Sequence, residues 1–422
     1  MSTGSLPKAA PQPAATTRFV ARRGMIIDAA SMLINEHGVK GLSLAEVAAA
    51  IGLSNTSITY YFRRKDELAA ACFDRALDQL AQQVAEAGRE ADLSARIRRL
   101  VQLSFDAAWP LARQAVQTAV HPVVRLSDLR ATEDPVRAAL VGRYFSIFRR
   151  ARGFFGEGGD EEQQLLRLMR THVLLDSLYV LPSWLDQYGP EEHPRVQERL
   201  VQLLEHGMAP HGMAAQGMAA PPPLALALPP ADDPGERFLG AATRLINERG
   251  YRGTSVDQIS SRLNVTKGSF YHHLDGKDGL VLECFRRSLD TVSQALDAAL
   301  QRPGTCLSQL AATLTALLGI QLSDRTPLLR TTALLALPAE LRAEVVDRSE
   351  RITRRWTGLL IDAITERSIP PVDPLIAGRV LMSTINAAYE LRGRATRVPE
   401  GRAVILYSST LFDGLLPAVP DA

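Results

Sequence analysis

The strongest constraint on this chain is that it repeats itself: residues 29–78 align without a gap on residues 241–290, 212 positions further on. Self-similarity at one fixed offset means two units that fold alike, and the length of 422 residues suits two or three domains. The first copy runs Leu33-Ile34-Asn35-Glu36-His37-Gly38 and the second Leu245-Ile246-Asn247-Glu248-Arg249-Gly250. Each reads as an amphipathic helix closed by a glycine suited to the left-handed C′ position. Each copy then restarts with a capping box. Ser43 with Glu46, and Ser255 with Gln258, place a hydroxyl at the N-cap and a long polar acceptor three residues on. Val47 and Ile51, matched by Ile259 and Leu263, give this short second helix one apolar side. After a turn, Ser54 and Thr266 are placed to cap a third helix, which predicts a helix-turn-helix whose second helix is able to lie in a major groove.

These residues carry a family resemblance. Residues 264–280, NVTKGSFYHHLDGKDGL, resemble the recognition-helix signature of the TetR family of bacterial transcriptional regulators, and residues 52–68, GLSNTSITYYFRRKDEL, are a looser version. The usual tyrosine is kept as Tyr271 but is Thr59 in the first copy. The usual phenylalanine is kept as Phe62 but is Leu274 in the second. Thr56 stands where Gly268 preserves the family glycine. Carried over position by position, the resemblance makes Ser54, Asn55, Ser57, Thr59, Tyr60 and Lys65 the DNA-contacting set of the first head. In the second head the set is Thr266, Lys267, Gly268, Ser269, Tyr271, His272 and Lys277. Hydroxyls, tyrosines and the later lysines are assigned to phosphates, and positions 55 and 267 to base edges. Lys65 and Lys277 have a physical argument of their own. Each opens a helix, where the macrodipole disfavours a cation unless an anion such as a phosphate lies nearby.

Formal charge is only +2, so a nucleic-acid footprint has to be local. Arg18, Arg22 and Arg23, the run Arg63-Arg64-Lys65, and Lys267 with Lys277 supply such patches. Cys72, Cys284 and Cys306 show neither metal-ligand spacing nor a disulfide framework. They fit a reducing compartment, and with no apolar run of membrane-spanning length the expected location is the cytoplasm, with no membrane partner.

The organisation expected is all-α. A Pro/Ala/Ser/Thr-rich arm covers 1–16, a first helix-turn-helix 17–64 and a first helical regulatory domain 65–206. A Gly/Met/Ala/Pro-rich linker covers 207–233, a second helix-turn-helix 234–276 and a second regulatory domain 277–418. Asp233-Pro234 reads as N-cap and N1 of the helix after the linker. Helices are expected at 65–87, 93–119, 133–152, 161–181 and 191–206, then at 277–300, 304–322, 326–336, 339–366, 373–392 and 400–416.

No enzyme is expected, since no nucleophile, acid–base pair or metal cluster stands in a catalytic setting. His272 and His273 diverge by about 100° on a helix and cannot share an ion. The glycine-rich run 153–159 lies between helices and lacks the strand of a phosphate loop. No cofactor or metal is expected. The resemblance implies an apolar ligand cavity, with Phe105, Trp109, Tyr144, Phe148, Tyr179, Trp184, Trp356, Met382 and Tyr389 as candidate lining. Its partners would be a double-stranded operator and a small molecule. The whole reads as a ligand-released repressor, with a ligand-binding or scaffold protein in which one or both heads no longer read DNA as the alternative. The two halves are expected to pair within one chain, or else between two chains as a homodimer.

Overall fold

A computed structural model describes residues 17–112, 136–210, 224, 226, 233–251, 254–263, 276–323, 327–399 and 401–416. Among these residues there are helices and no strands, so the all-α class holds. The first half contains α1 (Thr17–Gly41), α2 (Leu44–Ala50), α3 (Asn55–Tyr61), α4 (Lys65–Ala87), α5 (Leu93–Ala112), α6 (Val136–Arg152), α7 (Glu161–Tyr179) and α8 (His193–His206). The second contains α9 (Pro234–Arg249), α10 (Val256–Leu263), α11 (Gly276–Leu300), α12 (Cys306–Leu322), α13 (Ala339–Thr365), α14 (Pro374–Ala387) and α15 (Arg402–Phe412).

The caps explain most boundaries. Ser43 accepts from the Glu46 amide, while Ser255 and Gln258 exchange both bonds of a full capping box, at 3.1 and 3.0 Å. Asp233 caps α9 through the Glu236 amide at 2.8 Å, with Pro234 at N1. Gly250 ends α9 at φ 75°, as its position requires of a glycine. Gly38 behaves differently from expectation: α1 runs through it to Gly41, so the first copy spends its glycine inside a helix. The segment expected as a helix over 326–336 is extended at 327–330 and becomes 3₁₀ only at Thr331–Ala336, because side chains of neighbouring helices take up its backbone groups.

In each half, the long helix after the head holds the head's first helix through repeat-equivalent contacts. Cys72 Sγ donates to Ile27 O in the first half and Cys284 Sγ to Leu239 O in the second, both at 3.7 Å. Arg75 pairs with Asp28; its counterpart Arg287 pairs instead with Glu236, because Gly240 stands at the position of Asp28. Burial pushes the Cys72 thiol up to about 11 and the Cys284 thiol up to about 12, so both are neutral packing groups.

The halves meet through their last helices. α7 packs on α14 and α15, and α8 packs on α14. Arg199 bonds Asp373, Arg379 donates to Gln187 and Arg402 pairs with Glu162 across this seam. At its end the chain segments after α8 and α15 exchange backbone bonds reciprocally. Met208 N and Ala209 N donate to Leu411 O and Phe412 O at 3.0 and 2.8 Å, while Leu415 N and Leu416 N donate to Leu204 O and Glu205 O at 2.7 and 3.3 Å. Such mutual bonding is the pattern of an isologous, twofold contact. Gly207 and Gly414 sit opposite each other at its centre with φ of 71° and 80°. A Cβ on Gly207 would lie 2.3 Å from Phe412 O, and one on Gly414 2.3 Å from Glu205 O. The close approach therefore needs glycine on both sides. Met208 and Ala209 are buried here, so the seam reaches three residues into the stretch read as linker.

Candidate nucleic-acid interface

Head one shows the recognition helix directly. α3 is seven residues long. Ile58, fully buried, and Phe62, just past its end, anchor one side, which leaves Asn55, Thr56, Thr59 and Tyr60 facing out. Ser54 caps the helix by accepting from Ser57 N at 3.2 Å, and the two hydroxyls lie 2.8 Å apart. Thr59 Oγ1 donates to Thr56 O, so its hydroxyl proton is already spent inside the helix. Tyr60 is 73% exposed, and its ring sits edge-on to Phe19 of α1 and to Tyr61. Arg23 lies 5.0 Å over the Phe62 ring, which brings an arginine of the expected basic patch beside the end of α3. Lys65 is exposed at the first position of α4, beside Asp66 and Glu67. Arg64 pairs with Asp66 at 3.0 Å and the Arg63 amide donates to Glu67, so part of the local positive charge is compensated.

Head two is described up to Leu263 and again from Gly276. Thr266, Lys267, Gly268, Ser269, Tyr271 and His272 lie outside the described residues. Lys277, at the start of α11, has its ammonium 3.9 Å from the centre of the Tyr251 ring, and the Tyr251 hydroxyl donates to Asp278. The cation in a first helical turn is thus compensated by an aromatic face and an adjacent carboxylate. The argument that such a lysine calls for a phosphate is weakened at Lys277. It stands better at Lys65, where the position of Tyr251 is taken by the buried Val39. The sequence missed Tyr251 because it lies outside the motif; its offset from Lys277 becomes visible only when α9 and α11 pack.

The candidate aromatic lining is mostly core. Phe105, Phe148, Trp184, Trp356 and Tyr389 are buried, Tyr144 and Met382 are half-buried and Tyr179 is 38% exposed; the Trp109 side chain lies outside the described residues. A cleft of about 520 Å³ opens elsewhere, at the seam between halves. Leu203, Pro210, Pro370, Pro371, Val372 and Pro374 form apolar walls, with Arg98, Arg199 and His206 also lining it.

The family described as bacterial regulatory proteins of the tetR family matches residues 26–72 and again residues 238–284. The chain carries two tetR-family domains in tandem. Each matched stretch runs from the first helix of a head into the long helix that follows, so both family domains include the cysteine contact described above. The chain is 39% identical to the transposon Tn10 TetC protein of Escherichia coli over 54 residues, 13% of this chain and 27% of that protein. It is 43% identical to the HTH-type transcriptional repressor KstR2 of Rhodococcus jostii over 68 residues, 15% of this chain and 33% of that one. The matches thus span a third or less of these curated relatives. Among solved structures it is similar to apo AibR, at 21% identity and a TM-score of 0.36, covering 43% of this chain and 99% of that chain. It is likewise similar to AibR in complex with isovaleryl coenzyme A and operator DNA, at 18% identity and a TM-score of 0.36, over 43% of this chain and 96% of that one. Among the described residues no helix is long and apolar enough to cross a membrane.

Proposed function

We propose that this tetR-family chain is a sequence-specific DNA-binding repressor in which the two heads of one polypeptide address the two halves of one operator. The observation that carries the reading is the reciprocal seam around Gly207 and Gly414, joined to two family domains on one chain. The last helices of the two halves, which by resemblance would serve a homodimer, are already partnered within the chain, which supports pairing inside one polypeptide. Asn55, Thr56 and Ser57 differ from Lys267, Gly268 and Ser269, so the operator should be two unequal half-sites rather than a palindrome. Ser54, Ser57, Tyr60, Lys65 and Lys277 are assigned to the phosphate backbone and Asn55 and Lys267 to bases, while Thr59, whose hydroxyl donates within α3, leaves the set.

The effector is a small molecule with an apolar body, and the seam cleft is its site. At about 520 Å³ the cleft is of ligand size, and its walls come from both halves. A ligand there bears on the placement of one half against the other, and so on the distance between heads, which is what release from an operator requires.

A second reading is favoured by one observation. In head one the Thr59 hydroxyl is bonded within α3, and the Ser54 and Ser57 hydroxyls face each other, so fewer free donors are presented. On that reading head one no longer reads DNA and head two alone specifies sequence. Selection of bound duplexes from a random pool tests both. Two unequal specified half-sites support two reading heads; one specified half-site beside an unspecified flank supports the second reading; and no enrichment refutes DNA recognition altogether.

A further inference from the structure

The extended segment 327–330 is held by side chains from helices all around it. Leu328 N donates to Gln321 Oε1 at 3.0 Å, and Leu329 N to Ser288 Oγ at 2.8 Å. Arg287 donates to Pro327 O at 3.1 Å. One residue takes two of the remaining groups. Asn247 donates from Nδ2 to Leu328 O and accepts from Arg330 N at Oδ1, both at 3.0 Å, while only 2% exposed. Its amide thus pairs with this stretch as a neighbouring strand would.

Asn247 belongs to α9, the first helix of head two, close to its C-terminal end. The segment it clasps leads directly into Thr331–Ala336, and that turn packs against α1 of head one. Thr331 N is fixed by Asn386 Oδ1 at 2.8 Å, and the Arg330 guanidinium pairs with Glu390 in the turn after α14, the helix that packs on α7. One short stretch therefore touches both heads and the seam.

We infer that Asn247 is a positioning residue for operator reading: its clasp on residues 328–330 fixes head two on a segment that abuts head one, and so sets the distance and angle between the two recognition helices. This rests on the two-head reading above. The geometry separates this role from merely keeping head two folded. α9 is attached to α11 through Glu236 and Leu239 near its start. Asn247 attaches it again some eleven residues on, about 16 Å along the axis. An element held at both ends has one orientation, and one held at a single end pivots about it. Other polar ties at the far end are Glu248 to Arg392 at 3.3 Å and to Arg262 at 3.7 Å, between partly exposed groups, and Tyr251 to Asp278, which joins the end of head two's first helix to α11 but does not reach residues 328–330.

The test uses the full chain on its own selected operator, with the spacer between half-sites changed in single base-pair steps. Each added pair moves one half-site by about 3.4 Å and turns it by about 34°, so rigidly spaced heads tolerate few such steps. Wild type is expected to lose about tenfold in affinity at one base pair off the preferred spacing. Asn247→Leu, matched in size and unable to hydrogen-bond, is expected to cut that loss to about threefold or less, with affinity for an isolated half-site unchanged. A folded variant with the wild-type spacing profile would overturn the assignment. If Asn247→Leu shows no cooperative melt, Asn386→Ala, which frees the exposed Thr331 amide of the same segment, is judged by the same criterion. A wild type that selects no DNA overturns the two-head reading itself, whereas a wild type that binds two half-sites at any spacing overturns only the inference about Asn247.

Discussion

Replacing Gly207 by alanine should open the seam between the halves. The new Cβ would stand 2.3 Å from Phe412 O and 2.5 Å from Gly414 N, backbone atoms that cannot swing aside as a side chain tip would. Relief to ordinary contact needs a shift of about 1 Å, enough to break the bonds from Met208 N and Ala209 N, which are 3.0 and 2.8 Å long. Gly207 also has φ 71° and ψ −159°, a region essentially reserved for glycine, where another residue costs about 1–3 kcal/mol. Two lost backbone bonds at about 1 kcal/mol each bring the total to about 3–5 kcal/mol. For a cooperative unit the size of one half, that lowers the melting temperature by roughly 6–20 °C. Differential scanning calorimetry reads this against Gly358→Ala, a glycine inside α13 whose added Cβ meets nothing within 4 Å. That control should gain roughly 0.4–1 kcal/mol. If Gly207→Ala melts within a degree of wild type, the close approach at Gly207 and Gly414 does not hold the halves together, and the reasoning fails.

Further outcomes follow from the same structure. Lys65→Ala should weaken binding to all duplexes alike and lower the slope of log affinity against log salt by about 1. Asn55→Ala should instead relax base preference at one position while leaving that slope intact, a contrast that quantitative gel shifts at several salt concentrations would resolve. Tyr251→Leu, which removes the ring from under Lys277, should raise rather than lower the contribution of Lys277 to the salt slope; an unchanged slope would mean the ring does not occupy the ammonium. The buried thiols give a pH dependence. Their folded pKa values, about 11 for Cys72 and about 12 for Cys284, lie above the ordinary 9.0. The stability they contribute is therefore complete below pH 9 and is lost as pH rises through 11. Melting curves at pH 8 and pH 10.5 should show a smaller loss for the Cys72→Ala, Cys284→Ala double variant than for wild type; equal losses would contradict the burial.

Local chemistry made much of this fold readable before any coordinates. Ser43 with Glu46, Ser54, Ser255 with Gln258, and Asp233 with Pro234 each announce a helix start by a short-range bond, and the starts of α2, α3, α9 and α10 lie where those bonds require. The expectation over 65–87 matches α4 to the residue because Asp66 and Glu67 open it and Gly88 follows it. What stayed hidden depends on partners far away in sequence. The stretch 326–336 reads as a helix on its leucines at 328, 329, 334 and 335, yet Asn247, Ser288 and Gln321 take up backbone groups of residues 328–330, and no local signal names those three residues. Gly207 read as the start of a linker because its need for glycine comes from Gly414 across the seam. Phe105, Phe148, Trp184, Trp356 and Tyr389, offered as cavity lining, are buried, and aromatic spacing on a helix looks the same in either setting. The seam cleft was invisible because its walls, Leu203 and Pro210 on one side and Pro370 to Pro374 on the other, become neighbours only once the halves pair.

The central claim is that one chain supplies both reading heads of one operator. Light scattering coupled to size exclusion, run on the free protein and on its complex with the selected duplex, tests it most directly. The account predicts the mass of one chain, 46.0 kDa, for the free protein and one chain per duplex, with two unequal half-sites in the selected consensus. A mass near twice that value together with a true palindrome would show an ordinary homodimer with four heads, and would contradict it.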